Sequence, residues 1–269
     1  MSNLLAPILD RKRREIARRR RHGAGREAPA DPGAARVAGL DYLRRADGAL
    51  PRVIAEVKFS SPSAGAIRPW RAGDGVEVAR GYVKAGAAAV SVLCDRVGFG
   101  GSPLQLRRVA RAVAPVPVLF KEFVLDPLQI QLASRCGASL ALLLVCALED
   151  TALKQLVDFS FESGIEPVVE AANERELDRA LATKARVIGI NARDLTTFQL
   201  DRGLAARLVE KIPSDRVAVY MSGVNNADDL CEIANGRADA VLVGSSLMRT
   251  SNPGQTLEGW LAKGGATWV

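Results

Sequence analysis

Residues 53–63 read V-I-A-E-V-K-F-S-S-P-S, and the rest of the chain takes its meaning from this stretch. Val53, Ile54, Ala55 and Val57 are apolar and rich in β-branching, which predicts a buried strand. Ser60, Ser61, Pro62 and Ser63, with Gly65 close behind, predict the turn that ends it. Glu56 and Lys58 interrupt the apolar run two residues apart. Side chains on a strand alternate faces, so these two point the same way. Burying a carboxylate and an ammonium in an apolar strand is costly. The pair is therefore either an ordinary ion pair or a working site at the mouth of a sheet or barrel.

Seven further apolar runs follow, at 88–93, 116–121, 140–145, 165–170, 185–191, 216–221 and 239–244. Helical segments lie between them, among them 127–136, 152–163, 174–181 and 226–235. Gly86, Gly137, Gly164 and Gly236 stand where helix C-caps are expected. Eight strand-and-helix repeats predict an α/β fold, a (β/α)8 TIM barrel, with an open doubly wound sheet as the alternative. The barrel is expected over 51–269, preceded by an N-terminal helical extension over 1–50 that packs on it. Within that extension a helix is expected at 1–22, a Gly-, Ala- and Pro-rich loop at 23–36 and a second short helix at 37–49.

Composition bounds the function. Hydrophobic residues make up 48% of the 269 and aromatics only 5%, with 24 Gly, as in α/β proteins. No apolar run approaches the roughly 20 residues that span a membrane, and the N-terminus does not have the form of a signal peptide. Cys94, Cys136, Cys146 and Cys231 are scattered without a C-x-x-C, which predicts reduced thiols in a cytoplasmic protein. The single histidine, His22, excludes Ser-His-Asp catalysis and histidine-rich metal sites, so no metal is expected. Of the net charge of +7, +6 falls within residues 10–22. This arm reads as a solvated helix packed by Leu5, Ile8, Leu9 and Ile16. No aromatics interleave with its arginines, so a nucleic-acid partner is not expected.

In barrels of this kind chemistry sits where strands end. Here Glu56 and Lys58 close the first strand, Lys121 the third and Glu170 the fifth, while Asn191 and Arg193 follow the sixth. Ser222-Gly223 and Gly244-Ser245-Ser246 follow the seventh and eighth, where small residues let backbone N–H groups approach a phosphate. Ser61 and Ser63 offer hydroxyl donors from the first strand. G-F-G-G-S at 98–102 is not a nucleotide fingerprint, because Pro103 stands where a third glycine belongs.

Taken together and in order, several motifs identify a family. They are A-E-V-K-x-x-S-P-S at 55–63, K-E-F-V-x-D-P-x-Q-I at 121–130 and V-E at 169–170, then G-I-N-x-R-D-L-x-T-F at 189–198, S-G-V at 222–224 and D-A-V-L-V-G-x-S-L-M-R at 239–249. From about Ile54 to Arg249 the chain resembles indole-3-glycerol phosphate synthase. That family converts 1-(2-carboxyphenylamino)-1-deoxyribulose 5-phosphate to indole-3-glycerol phosphate with loss of CO2 and water, and needs no cofactor. The resemblance implies that Lys121 is the general acid and that Glu56 and Lys58 position substrate and transfer protons. It gives Glu170 the acid–base steps of dehydration, and Asn191 and Arg193 the hydroxyl and carboxylate side of the substrate. Phe99 and Phe123 become aromatic walls for the anthranilate ring. Crowding by other cations is expected to lower the pKa of the catalytic ammonium. The sequence leaves monomer and homodimer equally open.

Four positions depart from the family's pattern: Met221 replaces a glutamate, Phe59 a basic residue, and Ala171-Ala172 a V-H pair. The alternatives are thus a divergent relative acting on an altered phosphorylated substrate, or a non-catalytic phosphate-binding barrel.

Overall fold

The computed structural model describes residues 5–22, 39–62, 65–69, 71, 73–195 and 198–263. The expected loop at 23–36 and the hydroxyl of Ser63 lie outside these residues. Eight parallel strands close into a barrel: β1 (Arg52–Val57), β2 (Ala89–Leu93), β3 (Val118–Lys121), β4 (Leu140–Leu144), β5 (Glu166–Ala171), β6 (Val187–Asn191), β7 (Val217–Met221) and β8 (Ala240–Val243). Neighbours around the ring are neighbours in sequence, and β1 closes it by pairing with β8 from Arg52↔Ala240 to Ala55↔Val243. Each strand lies within two residues of its expected bounds, and the open sheet is excluded by that closure.

Inward and outward residues separate cleanly. Ile54, Leu119, Leu142, Val168, Val219 and Leu242 belong to one apolar cluster inside the barrel. Val53, Val90, Phe120, Val169, Ile188 and Val241 belong to a larger one between the strands and the helices. This is the two-sided burial that makes parallel strands read as continuous apolar runs.

The helices are α1 (Leu5–Arg21), α2 (Gly39–Leu43), α3 (Asp74–Lys84), α4 (Arg96–Phe99), α5 (Pro103–Val113), α6 (Pro127–Arg135), α7 (Asp150–Glu162), α8 (Glu174–Leu181), α9 (Arg202–Glu210), α10 (Ala227–Ala234), α11 (Ser245–Met248) and α12 (Pro253–Lys263). Of the second short helix expected at 37–49, Gly39–Leu43 is helical, and the chain is irregular from Arg44 to the turn at Asp47-Gly48. Three of the four expected cap glycines, Gly86, Gly137 and Gly164, have positive φ. Gly236 does not, and the αR Asn235 closes α10 instead. Leu5, Leu9 and Ile16 of α1 are buried as expected. Leu43 of α2 joins the barrel's inner cluster, while Arg44 and Arg45 donate to the backbone of Ser214 and Ala234, ahead of the strand starts. No helix among the described residues is long and apolar enough to cross a membrane.

Candidate active site

Strand register brings the expected charges together. Glu56 and Lys58 project to one side of β1 and meet directly, Lys58 Nζ lying 2.8 Å from Glu56 Oε1. Glu56 stands opposite Ser91 of β2, whose hydroxyl donates to Glu56 Oε2 at 3.2 Å. Lys121 at the end of β3 donates to Glu170 Oε2 of β5 at 3.2 Å. Asn191 of β6 donates to the other Glu170 oxygen at 2.8 Å and accepts from the Arg193 N–H at 3.0 Å. The Arg193 guanidinium is held in turn by the Phe198 carbonyl. Every charged group in this cluster has a partner, as a buried polar network requires.

These groups share one cavity of about 370 Å³ at the C-terminal mouth of the barrel. Ser61, Phe99, Phe123, Arg193 and the small residues after β7 and β8 line it too. Apart from Ser63, which lies outside the described residues, the expected site residues therefore converge. Phe99 and Phe123 form a tilted pair with ring centroids 6.1 Å apart.

Lys121 corrects an expectation. Burial disfavours its charge, but the carboxylates of Glu170 and Glu56 outweigh that and raise its pKa above the ordinary value. Its closest charged neighbours are acids, so no cation crowding lowers it. Glu56 is held below the ordinary carboxylate range: burial opposes its charge, and Lys58, Lys121 and Ser91 more than compensate.

The loops after β7 and β8 have unusual backbones. Ser222 and Gly223 take consecutive left-handed conformations, with φ of 67° and 79°. For serine that region costs about 1 kcal/mol or more, and such strain clusters at functional sites. Ser246 Oγ donates to the Val224 carbonyl at 2.8 Å, tying the two loops together. Gly244 packs on the strand-one carboxylate, since a Cβ there would lie 2.7 Å from Glu56 Oε1. Gly101 belongs to packing, not phosphate, because its Cβ would fall 2.1 Å from the Leu93 carbonyl oxygen.

Arg249 and Asp95 also line the cavity, and strand-end spacing points to neither. Arg249 follows the short α11, too brief for a helical period. Asp95 lies past the end of β2 and resembles the N-cap it is, accepting from the Gly98 N–H at 2.7 Å. Met221 is buried at the cavity wall, its thioether filling the space over Gly189 of β6. All four cysteines are free thiols.

Comparison with known proteins agrees with this geometry. A family model described as indole-3-glycerol phosphate synthase matches residues 5–259. Indole-3-glycerol phosphate synthase of Leifsonia xyli subsp. xyli is 44% identical over 257 residues, covering 95% of this chain and 96% of that protein. Indole-3-glycerol phosphate synthase 1 of Streptomyces coelicolor is 40% identical over 267 residues, covering 97% of this chain and 96% of that protein. Among solved structures, N-(5'-phosphoribosyl)anthranilate isomerase from Pyrococcus furiosus superposes with a TM-score of 0.55 at 15% identity, covering 80% of this chain and 98% of that one. That likeness concerns the barrel alone. By family model and relatives together, the chain belongs to the indole-3-glycerol phosphate synthase family.

Proposed function

We propose that this chain closes the pyrrole ring of 1-(2-carboxyphenylamino)-1-deoxyribulose 5-phosphate, releasing CO2 and water, with the two buried lysine–carboxylate pairs as its machinery. The observation that carries the assignment of roles is the meeting of Lys58–Glu56 and Lys121–Glu170 in one cavity, each within 3.2 Å. In this reading the substrate phosphate lies on the loops after β7 and β8, against Ser222, Gly223, Gly244 and Ser245, with Arg249 as an added cation. The anthranilate ring lies between Phe99 and Phe123. Ser61, Arg193 and Asn191 hold the polar chain between these ends.

Lys121, kept protonated by its carboxylates, donates to the carbonyl oxygen as the aromatic carbon attacks the carbonyl carbon. Loss of CO2 restores the ring, its bonding electrons returning to the carbon that carried the carboxylate. Elimination of the new hydroxyl as water then needs a proton donor and an acceptor. Glu170 serves the acid–base steps, and its 3.2 Å contact with Lys121 lets the pair return to its starting charge. Lys58, oriented by Glu56, supplies positive charge beside the reacting centre. The reduced thiols support a cytoplasmic setting, and residues 1–50 act as an extension serving the barrel at 51–269. Incubation with the substrate, following indole fluorescence and CO2 release together, tests the assignment. Absence of both products would overturn it.

A further inference from the structure

The basic helix α1 carries a buried cation that the reaction does not use. Lys12 is 4% exposed, although Arg13 and Arg14, which follow it, are exposed. Its ammonium lies 3.0 Å from Asp95 Oδ1, 3.1 Å from Glu122 Oε2 and 2.9 Å from Glu15 Oε2. Arg11 adds a two-pronged contact to Asp95 at 3.0 and 3.1 Å. Asp95 and Glu122 sit past the ends of neighbouring strands β2 and β3.

Each of these acids holds the backbone beside one aromatic wall. Asp95 Oδ2 accepts from the Gly98 N–H at 2.7 Å, one residue before Phe99. Glu122 Oε1 accepts from the N–H of Phe123 itself at 2.8 Å. The bonds to Lys12 use the other oxygen of each carboxylate. One ammonium thus spans the two loops whose rings face each other at 6.1 Å. The phosphate loop after β7 lies elsewhere on the rim, since β3 and β7 are four places apart in the ring of eight.

We propose that Lys12 is a positioning residue of the active site: by bridging Asp95 and Glu122 it sets the spacing and tilt of Phe99 and Phe123, and so the slot that takes the aryl ring. The ionic contacts of α1 with the barrel are then part of substrate recognition. Without Lys12, two buried carboxylates would face each other with Arg11 as the remaining strong cation, and the loops would move apart. The inference rests on the reading of Phe99 and Phe123 as the aryl slot. Its test uses the ring alone as well as the substrate.

In the full chain, Lys12→Met should weaken anthranilate binding, followed by the fluorescence of that compound, by roughly tenfold, a factor worth one moderate contact. KM for the substrate should rise with it, kcat should fall less, and affinity for inorganic phosphate should stay within about twofold. Lys12→Arg should restore most of the loss. Asp95→Asn keeps an oxygen for the Gly98 N–H, removes the charge facing Lys12 and should give a loss of the same sign. Equal weakening of anthranilate and phosphate, unchanged anthranilate affinity, or no anthranilate binding by the unaltered protein would each overturn the inference. Binding of anthranilate without turnover of the substrate by the unaltered protein would defeat the synthase reading instead, leaving the Lys12 comparison decisive for the slot.

Discussion

Lys121 meets two carboxylates where a lone ammonium in an apolar barrel would be driven toward neutrality. Its raised pKa favours the charged ammonium, and in the role proposed for it that proton would pass to the carbonyl oxygen as negative charge builds there. Lys121→Met should therefore lower turnover by roughly 10²-fold or more while leaving phosphate affinity nearly intact, as steady-state kinetics with phosphate as inhibitor would show. Met221 stands where the resemblance leads one to expect a glutamate, and it lies buried on the cavity wall. It faces Asn191 across the β6–β7 register and fills the space over Gly189. A carboxylate there would give Lys58 a second anionic partner beside Glu56 and restrict its rotamers. Met221→Glu should raise turnover on the standard substrate with little change in KM. Unchanged or lower turnover would show that Met221 belongs to a pocket shaped for a different substrate.

At the scale of the element, the loop after β8 and the strand β1 act as one unit. Gly244 leaves no room for a side chain: a methyl group on its Cα would lie 2.7 Å from Glu56 Oε1 and 3.1 Å from Glu56 Cβ. Gly244→Ala should push the Glu56 carboxylate aside, and Lys58 loses the contact that orients it. Turnover is expected to fall by roughly tenfold or more, since small misplacements of catalytic groups are costly. The loop that carries Ser245 moves with it, so phosphate affinity should weaken too. Loss of turnover with phosphate affinity unchanged would separate the two parts of that unit. The fold itself should persist, because the added methyl meets the movable end of a side chain before it meets backbone.

At the scale of the molecule, the buried charges beneath α1 and at the barrel mouth give stability a distinctive pH dependence. Asp95 and Glu56 titrate below their ordinary values of 3.8 and 4.5, so their contribution is present above those values and lost as pH falls through the folded ones. Lys12 and Lys121 titrate above 10.5, so theirs is present below that value and lost as pH rises further. Glu122 works in the opposite sense to the other acids. Burial, with Asp95 adding to it, pushes its pKa from 4.5 to about 7 against the pull of Lys12 and the Phe123 N–H. The folded state therefore holds this proton more tightly than the unfolded one, and stability falls as pH rises from 4.5 to about 7. The Tm of Glu122→Gln relative to that of the unaltered protein should be higher at about pH 8 than at about pH 5. Thermal melts at the two pH values decide, and an equal shift at both would refute the titration assigned to Glu122.

Eight alternations of apolar run and helical segment are enough to predict the barrel, because strand and helix periods are local properties of the chain. The strand ends are readable for a related reason: a charge at the end of an apolar strand is conspicuous where burial is the rule. Glu56, Lys58, Lys121 and Glu170 stand out in this way without any knowledge of their contacts. What the chain does not encode locally is who meets whom. Lys58 pairs with a residue two positions away, but Lys121 reaches Glu170 across 49 residues and an intervening strand. The direction of the Lys121 shift depends on that meeting, and sequence alone suggests the wrong sign. Lys12 is the clearest case: within a run of arginines it reads as one more solvated cation, yet the closed ring places Asp95 and Glu122 beneath it. Through-space charge at about 3 Å governs such groups, and only the register of a closed barrel sets those distances.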